Sequence, residues 1–200
     1  MSESKPKQSR KGNKEKLMNA ALNLLAEDQS GLSGISLRQI TKACGLSPPA
    51  FYSHFSSVED LGLALVNEVG STLREVLSSV RDAESEEAVI EASVQSAFGY
   101  IRGNEPLFIL IARERAGSSS LLRGAIRNEV REIVEDMATD FHRRGLFERF
   151  DLESKYAAVA AIISLGLSLI PDILDVSRDS PSEGDRLLAE FENQVKLILF

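Results

Sequence analysis

The chain of 200 residues has few of the side chains on which catalytic and covalent chemistry usually depends. Its one cysteine, Cys44, excludes an internal disulfide framework and a zinc site of several cysteines. The two histidines, His54 and His142, are far apart, and the sequence has no glycine-rich phosphate loop and no nucleophile elbow. The common enzyme classes lack their requirements here, so we expect neither an enzyme nor a bound metal ion or cofactor.

Tryptophan is absent, proline occurs only six times, and long hydrophobic runs are missing. The longest apolar stretch, 156–170, is interrupted by serine and glycine and is shorter than the about 20 residues that a membrane helix needs. The first sixteen residues are polar, unlike those of a signal peptide. With 43% hydrophobic residues and many strong helix formers, the composition predicts an all-α, cytoplasmic protein with no membrane partner.

The net charge of −7 is unevenly distributed along the chain. Residues 1–56 contain eight Lys and Arg against four Asp and Glu, whereas residues 57–200 contain fifteen against twenty-six. A basic N-terminal module on an acidic body is typical of a protein that binds nucleic acid with one part only.

The stretch 36–55, SLRQITKACGLSPPAFYSHF, predicts two short helices joined by a turn. Ser36 and Gln39 have the spacing of a capping box, and Gly45 can end the first helix in a left-handed conformation. Ser47 is placed to cap a second helix that opens with two prolines, which are tolerated in a first turn. This is the helix-turn-helix pattern, whose second helix enters the major groove of DNA.

Because Phe51 and Phe55 are four residues apart, we expect them to bury one side of the second helix and to leave its other side for DNA. The prolines offer apolar contacts to thymine methyl groups, and Arg38 could contact a base or a phosphate. The predicted DNA-binding residues are Ser36, Arg38, Ser47, Pro48, Pro49, Tyr52, Ser53 and His54.

This stretch resembles the signature of the TetR family of bacterial transcription regulators. The matching positions are Ser36, Leu37, Arg38, Ile40, Gly45, Leu46, Ser47, Phe51, Tyr52, His54, Phe55 and Leu61. The resemblance implies that Tyr52 and His54 contact phosphates and that Ser53 lies in the groove. Many family members have a lysine three residues after the His-Phe pair, where this chain has Val58, so a phosphate there would depend on free backbone N–H groups.

Three regions are predicted: a basic flexible arm at 1–12, a three-helix helix-turn-helix domain at 13–56, and a helical effector-binding and dimerisation domain at 57–200. The arm is either a solubilising tail or a DNA contact. Apolar periodicity predicts helices over 13–28, 36–44, 47–54, 57–80, 85–102, 105–115, 119–144, 153–175 and 183–199. The helix over 57–80 is the expected mechanical link between the two domains.

Helix-turn-helix proteins usually work as dimers, because two copies read two half-sites. The segment 157–170 is apolar on nearly all sides, so we expect it to be buried by both subunits, the alternative being a core helix of one chain. The family architecture implies that the last two helices form the homodimer interface. The predicted interface residues are Ala161, Leu165, Leu169, Leu188, Phe191 and Val195.

The middle helices carry apolar residues that are either ordinary core or the lining of a site for a hydrophobic effector. Segments 60–77 and 108–130 resemble the family's regulators of unsaturated fatty-acid synthesis and desaturation, the FabR and DesT group. That resemblance implies a long-chain acyl thioester of coenzyme A or acyl carrier protein, with arginines for its phosphate or pantetheine groups; ion pairing of these arginines with acidic neighbours is the alternative. The predicted ligand residues are Phe98, Ile101, Phe108, Ile111, Arg113, Arg115, Met137 and Phe141.

The sequence thus predicts a dimeric, DNA-binding repressor whose operator affinity responds to a hydrophobic effector, acyl-CoA being the suspected one. A repressor of the efflux type that responds to another apolar molecule is the nearest alternative. A helical acyl-CoA carrier is a further alternative, but it would leave residues 36–55 and the charge distribution unexplained.

Overall fold

The computed structural model describes residues 6–27, 31–80, 85–176 and 181–200, and in these ranges it contains helices and no strand. A single 3-10 turn, Leu32–Gly34, lies between the first two α-helices. The α-helices are α1 (Pro6–Glu27), α2 (Leu37–Ala43), α3 (Pro48–Tyr52), α4 (Val58–Ser79), α5 (Glu86–Gly103), α6 (Glu105–Glu114), α7 (Ser120–Arg143), α8 (Leu152–Ser168), α9 (Ile170–Val176) and α10 (Pro181–Leu199). The all-α prediction is confirmed.

Several helices begin where a short polar side chain accepts a hydrogen bond from the first turn. Ser57, Ser85, Ser119 and Asp151 each accept a backbone N–H three residues later, at the starts of α4, α5, α7 and α8. Such caps stabilise a helix by about 1 kcal/mol each, because the first N–H groups have no partner inside the helix.

The N-terminal domain is built around α1, whose apolar face is fully buried. Leu17, Ala21 and Leu25 of this face pack in one core with Ile40 and Phe51 of the following two helices. The body then forms around α4 and α7, which pack along each other and are joined by an ionic cluster. Arg74 of α4 donates to Glu129 of α7 at 2.6 Å and lies 3.0 Å from Glu132.

Two predicted helix boundaries were wrong. The first helix begins at Pro6 rather than at residue 13, so residues 6–12 of the predicted arm are helical, while residues 1–5 lie outside the described part. The predicted helix over 153–175 is two helices, α8 and α9, bent by 42° at their junction. Pro171 explains the break, because it lacks the N–H of a continuing helix and its ring would clash with the preceding turn.

No single helix among the described residues is long and apolar enough to cross a membrane. Among the described helices, only α8 and α9 taken together, as a bent pair, have the length and apolar composition of a membrane span.

Candidate DNA-binding face and interior cavity

The helix-turn-helix pattern is present with the predicted local chemistry. Ser36 and Gln39 form a reciprocal capping box, in which the Ser36 N–H donates to Gln39 Oε1 at 2.8 Å and the Gln39 N–H donates to Ser36 Oγ at 3.3 Å. After α2, Gly45 has a φ of 67° and the Leu46 N–H donates to the Thr41 carbonyl at 2.9 Å. This Schellman ending turns the chain sharply, so that α3 crosses α2 at the corner.

Ser47 occupies the N-cap position of α3, but its hydroxyl makes no cap hydrogen bond. The predicted cap was wrong in this respect, and Pro49 removes the N–H of the second helical position, one of the two that a cap side chain can bind. The exposed Ser47 hydroxyl therefore stays available at the start of the second motif helix.

The predicted DNA-binding residues lie on the outer side of α2 and α3. Phe51 is fully buried and Phe55 is 3% exposed, whereas Tyr52 between them is 62% exposed. His54 is half-buried, and the Ser53 hydroxyl donates to the Ala50 carbonyl at 2.7 Å. The other members of the set are exposed: Ser36, Arg38, Ser47, Pro48 and Pro49.

Two lysines of the DNA-binding domain were missed as candidate DNA contacts. Lys42 is exposed one helical turn after Arg38 on α2, a four-residue spacing that the sequence already showed. Lys14 of α1 lies over the Phe55 ring, with its Nζ 5.9 Å from the ring centre. Both add positive charge to the DNA-binding domain, which would attract DNA phosphates.

The body encloses a cavity of about 110 Å³. Its walls come from α4 to α10, and apart from one serine the side chains of the described lining residues are all apolar. Phe98 and Phe191 stack across it with ring centres 5.9 Å apart. Next to it, the Tyr100 ring packs edge-on against Phe108, and burial raises the pKa of the Tyr100 phenol. An apolar space many times larger than one water molecule needs is suited to an apolar guest.

Five of the eight predicted ligand residues line this cavity. They are Phe98, Ile101, Phe108, Met137 and Phe141. Ile111, Arg113 and Arg115 are not part of its wall: Ile111 is buried in the neighbouring core, and Arg115 is exposed.

The predicted dimer residues divide between two locations. Ala161 is exposed, and Leu165, Leu169 and Leu188 are partly exposed. Phe191 and Val195, which we predicted in the interface, instead line the cavity of their own chain with Leu199. Residues four apart share one face of a helix, and α10 turns that face inward. Its outer face carries Leu197, which is 82% exposed.

Helix α6 joins the DNA-binding domain to the body through polar contacts at its end. Glu114 is 5% exposed and accepts the N–H of Leu32 at 2.8 Å. Arg113 donates to the carbonyl of Leu25, the residue near the end of α1, at 2.7 Å. The sequence showed the charges of these residues but not their backbone partners, which are more than 80 positions away.

A further contact, within the body, holds the start of α4, the helix that follows the DNA-binding domain. The Ser119 hydroxyl donates to Glu59. Phe108 of α6 lines the cavity, so this one helix contacts both the cavity and the DNA-binding domain.

An outward-facing motif on a small helical domain and a larger helical body define the class: a helix-turn-helix DNA-binding protein with an interior cavity. Residues 17–65 match the sequence profile of the bacterial regulatory proteins, tetR family. The chain is also 28% identical over 183 residues to an HTH-type transcriptional regulator of Haemophilus influenzae, covering 91% of this chain and 86% of that one. The chain therefore has a TetR-like fold, and its DNA-binding domain is similar to that of TetR-type transcriptional regulators.

Solved structures share the whole fold at low sequence identity. The fatty acid degradation regulator FadR from Bacillus halodurans has a TM-score of 0.75 and 18% identity, covering 99% of this chain and 97% of that one. FadR from Bacillus subtilis, in complex with stearoyl-CoA, has a TM-score of 0.56 and 17% identity, covering 80% and 95%.

Proposed function

We propose that this protein is a dimeric repressor whose operator affinity is set by a long-chain acyl-CoA in the control of fatty-acid synthesis or desaturation genes. The observation that carries the proposal is the apolar cavity in the body, which α6 connects to the helix-turn-helix domain. The FadR structures support the ligand class, since one of these similar folds is a complex with stearoyl-CoA.

The cavity favours an acyl chain over the cationic drugs of an efflux repressor. None of the described residues in its wall is titratable, so a buried cation would have no counter-charge. Burying an ion without a partner is far more costly than burying methylene groups, each of which gains about 0.8 kcal/mol. The polar head of an acyl-CoA would therefore remain outside the cavity, where arginines such as Arg115 are exposed.

On the DNA side, we assign phosphate contacts to Tyr52 and His54 and groove contacts to the start of α3. Lys42 and Arg38 lie one turn apart and would strengthen attraction to the DNA backbone. The second copy of the motif would come from a homodimer formed by α8 and α10. The outer face of α8 carries Ala157, Ala161 and Ser164 at helical spacing, which lets another helix approach closely.

The proposed mechanism is a shift between two spacings of the recognition helices. A ligand can bias that equilibrium only by the difference in its affinity for the two states. An acyl chain between α5, α8 and α10 would press on Phe108 of α6 and on Leu73 of α4. Helix α4 begins directly after the DNA-binding domain, and α6 contacts that domain through Arg113 and Glu114, so a small displacement in the cavity wall would reach α2 and α3.

The test begins with native mass spectrometry of the purified protein, followed by selection of bound fragments from genomic DNA. Stearoyl-CoA and oleoyl-CoA are then titrated into the protein–DNA complex, with the planar cation rhodamine 6G as the rival ligand. A dimer whose DNA affinity changes with acyl-CoA supports the proposal. A dimer that binds DNA and responds only to rhodamine 6G would instead identify an efflux-type repressor.

A further inference from the structure

One polar side chain interrupts the apolar wall of the cavity. Among the described residues that line it, Ser93 of α5 alone has a side chain that can form strong hydrogen bonds. It lies one helical turn from Ala97, between Val89 and Phe98 along the same face of α5. The wall is otherwise made of aliphatic and phenyl groups, so this hydroxyl is the one place where a guest could be recognised through an oxygen atom.

The hydroxyl of Ser93 is buried and has no hydrogen-bond partner among the described residues. Other helical serines of this chain satisfy themselves on their own helix. Ser71 donates to the Glu68 carbonyl at 3.1 Å, and Ser79 donates to the Val76 carbonyl at 2.7 Å. Ser164 does the same to Ala160 at 2.7 Å. Ser93 has a helical backbone as well, yet its Oγ makes no such bond.

A buried hydroxyl without a partner is unfavourable, and native proteins seldom leave one unless something binds it. Alanine would fill nearly the same volume at this position without that cost. The unpaired hydroxyl therefore points to a binding role rather than to packing. Because Ser93 belongs to the cavity wall, a rotation of its side chain would bring the buried hydroxyl to a guest in the cavity.

We propose that the effector carries a neutral oxygen function, a hydroxyl or oxo group, on an otherwise apolar chain, and that Ser93 hydrogen-bonds this group. This inference rests on the proposed acyl-CoA function and specifies its substrate class as an oxygenated acyl chain. A hydroxyl can both donate and accept, so either an alcohol or a ketone on the chain satisfies Ser93. A carboxylate does not fit, because no cation lies in the described wall to offset its charge.

The thioester carbonyl of an ordinary acyl-CoA is the other source of a neutral oxygen, and the experiment separates the two. Binding to the purified protein is measured by calorimetry with stearoyl-CoA and with stearoyl-CoA thioesters that carry a hydroxyl at C3, C7, C10 or C12. We expect one hydroxylated chain to bind wild type about five- to tenfold more tightly than stearoyl-CoA, the range of one net hydrogen bond. Equal affinity for every chain would overturn the inference.

The variant Ser93→Ala removes the hydroxyl alone. It should abolish the preference for the hydroxylated chain, so that this chain and stearoyl-CoA bind the variant with the same affinity. If Ser93→Ala weakened stearoyl-CoA as well, Ser93 would hold the thioester and the proposed chain oxygen would be wrong. Ser71→Ala, at an exposed serine that bonds its own helix, is the matched control and should change neither affinity.

Thermal unfolding without ligand gives an independent readout. Ser93→Ala should unfold at the same or a higher temperature than wild type, since it removes an unsatisfied buried group. A lower unfolding temperature would reveal a structural role for the hydroxyl and overturn the inference. If no acyl-CoA binds the wild-type protein, both the proposed function and the inference about Ser93 are wrong. If stearoyl-CoA binds and alters DNA affinity, but no oxygenated chain binds more tightly, only the inference about Ser93 is wrong.

Discussion

The two halves of the molecule use their side chains in opposite ways. In the N-terminal domain the aromatic residues that hold the fold face inward, and the residues assigned to DNA face outward a single position away, as in Phe51 and Tyr52. In the body the residues assigned to the ligand are themselves core residues, such as Phe98 and Met137. In the DNA-binding domain, different residues hold the fold and are assigned to binding, whereas in the body the same residues are assigned to both.

Two neighbouring aromatic residues test whether folding and DNA contact depend on different side chains in the DNA-binding domain. Phe51→Ala should lower the free energy of unfolding by about 3–5 kcal/mol, because it removes a fully buried ring from a close-packed core. Tyr52→Ala should change that free energy by only about 0.5 kcal/mol, as is usual for exposed positions. Urea unfolding followed by circular dichroism measures both.

The same pair then distinguishes folding from DNA contact. Tyr52→Ala should weaken binding to operator and to scrambled DNA by similar factors, since phosphate contacts carry no sequence information. If Tyr52→Phe kept full affinity while lowering stability, Tyr52 would be a packing residue, and the comparison would fail at that position.

The junction between the halves should be the next most sensitive place. Glu114→Ala leaves the buried Leu32 N–H without its acceptor, which should cost about 1–3 kcal/mol of stability. The response of DNA binding to acyl-CoA should decline more than acyl-CoA binding itself. Fluorescence anisotropy with labelled operator measures the response, and Glu135→Ala, at an exposed carboxylate of α7, is the control.

In the body, filling the cavity tests whether core and ligand site are the same residues. Ala97→Phe adds a ring to the lining and should weaken acyl-CoA binding about tenfold, with a stability cost of about 1–3 kcal/mol. DNA binding without ligand should remain. Gln95→Phe, on the exposed side of the same helix, should leave acyl-CoA binding intact. Equal loss in both variants would contradict the cavity as the site.

The smallest expected effect is at the start of α8. The Ser154 backbone N–H bonds to Asp151 at 2.8 Å and lowers the pKa of that carboxyl. A lowered pKa in the folded state stabilises the protein above the unfolded value, and this contribution is lost as pH falls through the folded pKa. Asp151→Asn should therefore lose less stability than wild type between neutral and acid pH. Parallel acid titrations would contradict this.

Local chemistry made much of the fold predictable. The capping box at Ser36 and the glycine ending at Gly45 each depend on residues within a few positions, so the turn between α2 and α3 could be inferred from sequence. The break at Leu169 was missed because the hydrophobic pattern continues through it. Pro171 was the available signal, two positions into the next helix, where proline is accommodated.

The candidate ligand residues of the body were predictable only as a group. From the sequence, Phe98 and Phe141 could be core residues or ligand-site residues, since both interpretations require the same apolar face. The inward direction of Phe191 and the bond from Leu32 to Glu114 depend on packing between segments far apart in sequence. Residue types alone carry no information about such partners.

The contacts at the end of α6 also bear on how such regulators could be recombined. None of the described residues that line the cavity belongs to the DNA-binding face. Substitutions can therefore change effector preference and operator preference independently. A chimera could join the DNA-binding domain of a TetR-type regulator to this body. It would need a backbone carbonyl at the position of Leu25 to accept a hydrogen bond, and a backbone N–H at the position of Leu32 to donate one. If these two groups still bond to Arg113 and Glu114, the DNA affinity of the chimera should respond to the effector. Without these bonds the chimera should bind its operator but no longer respond to the effector.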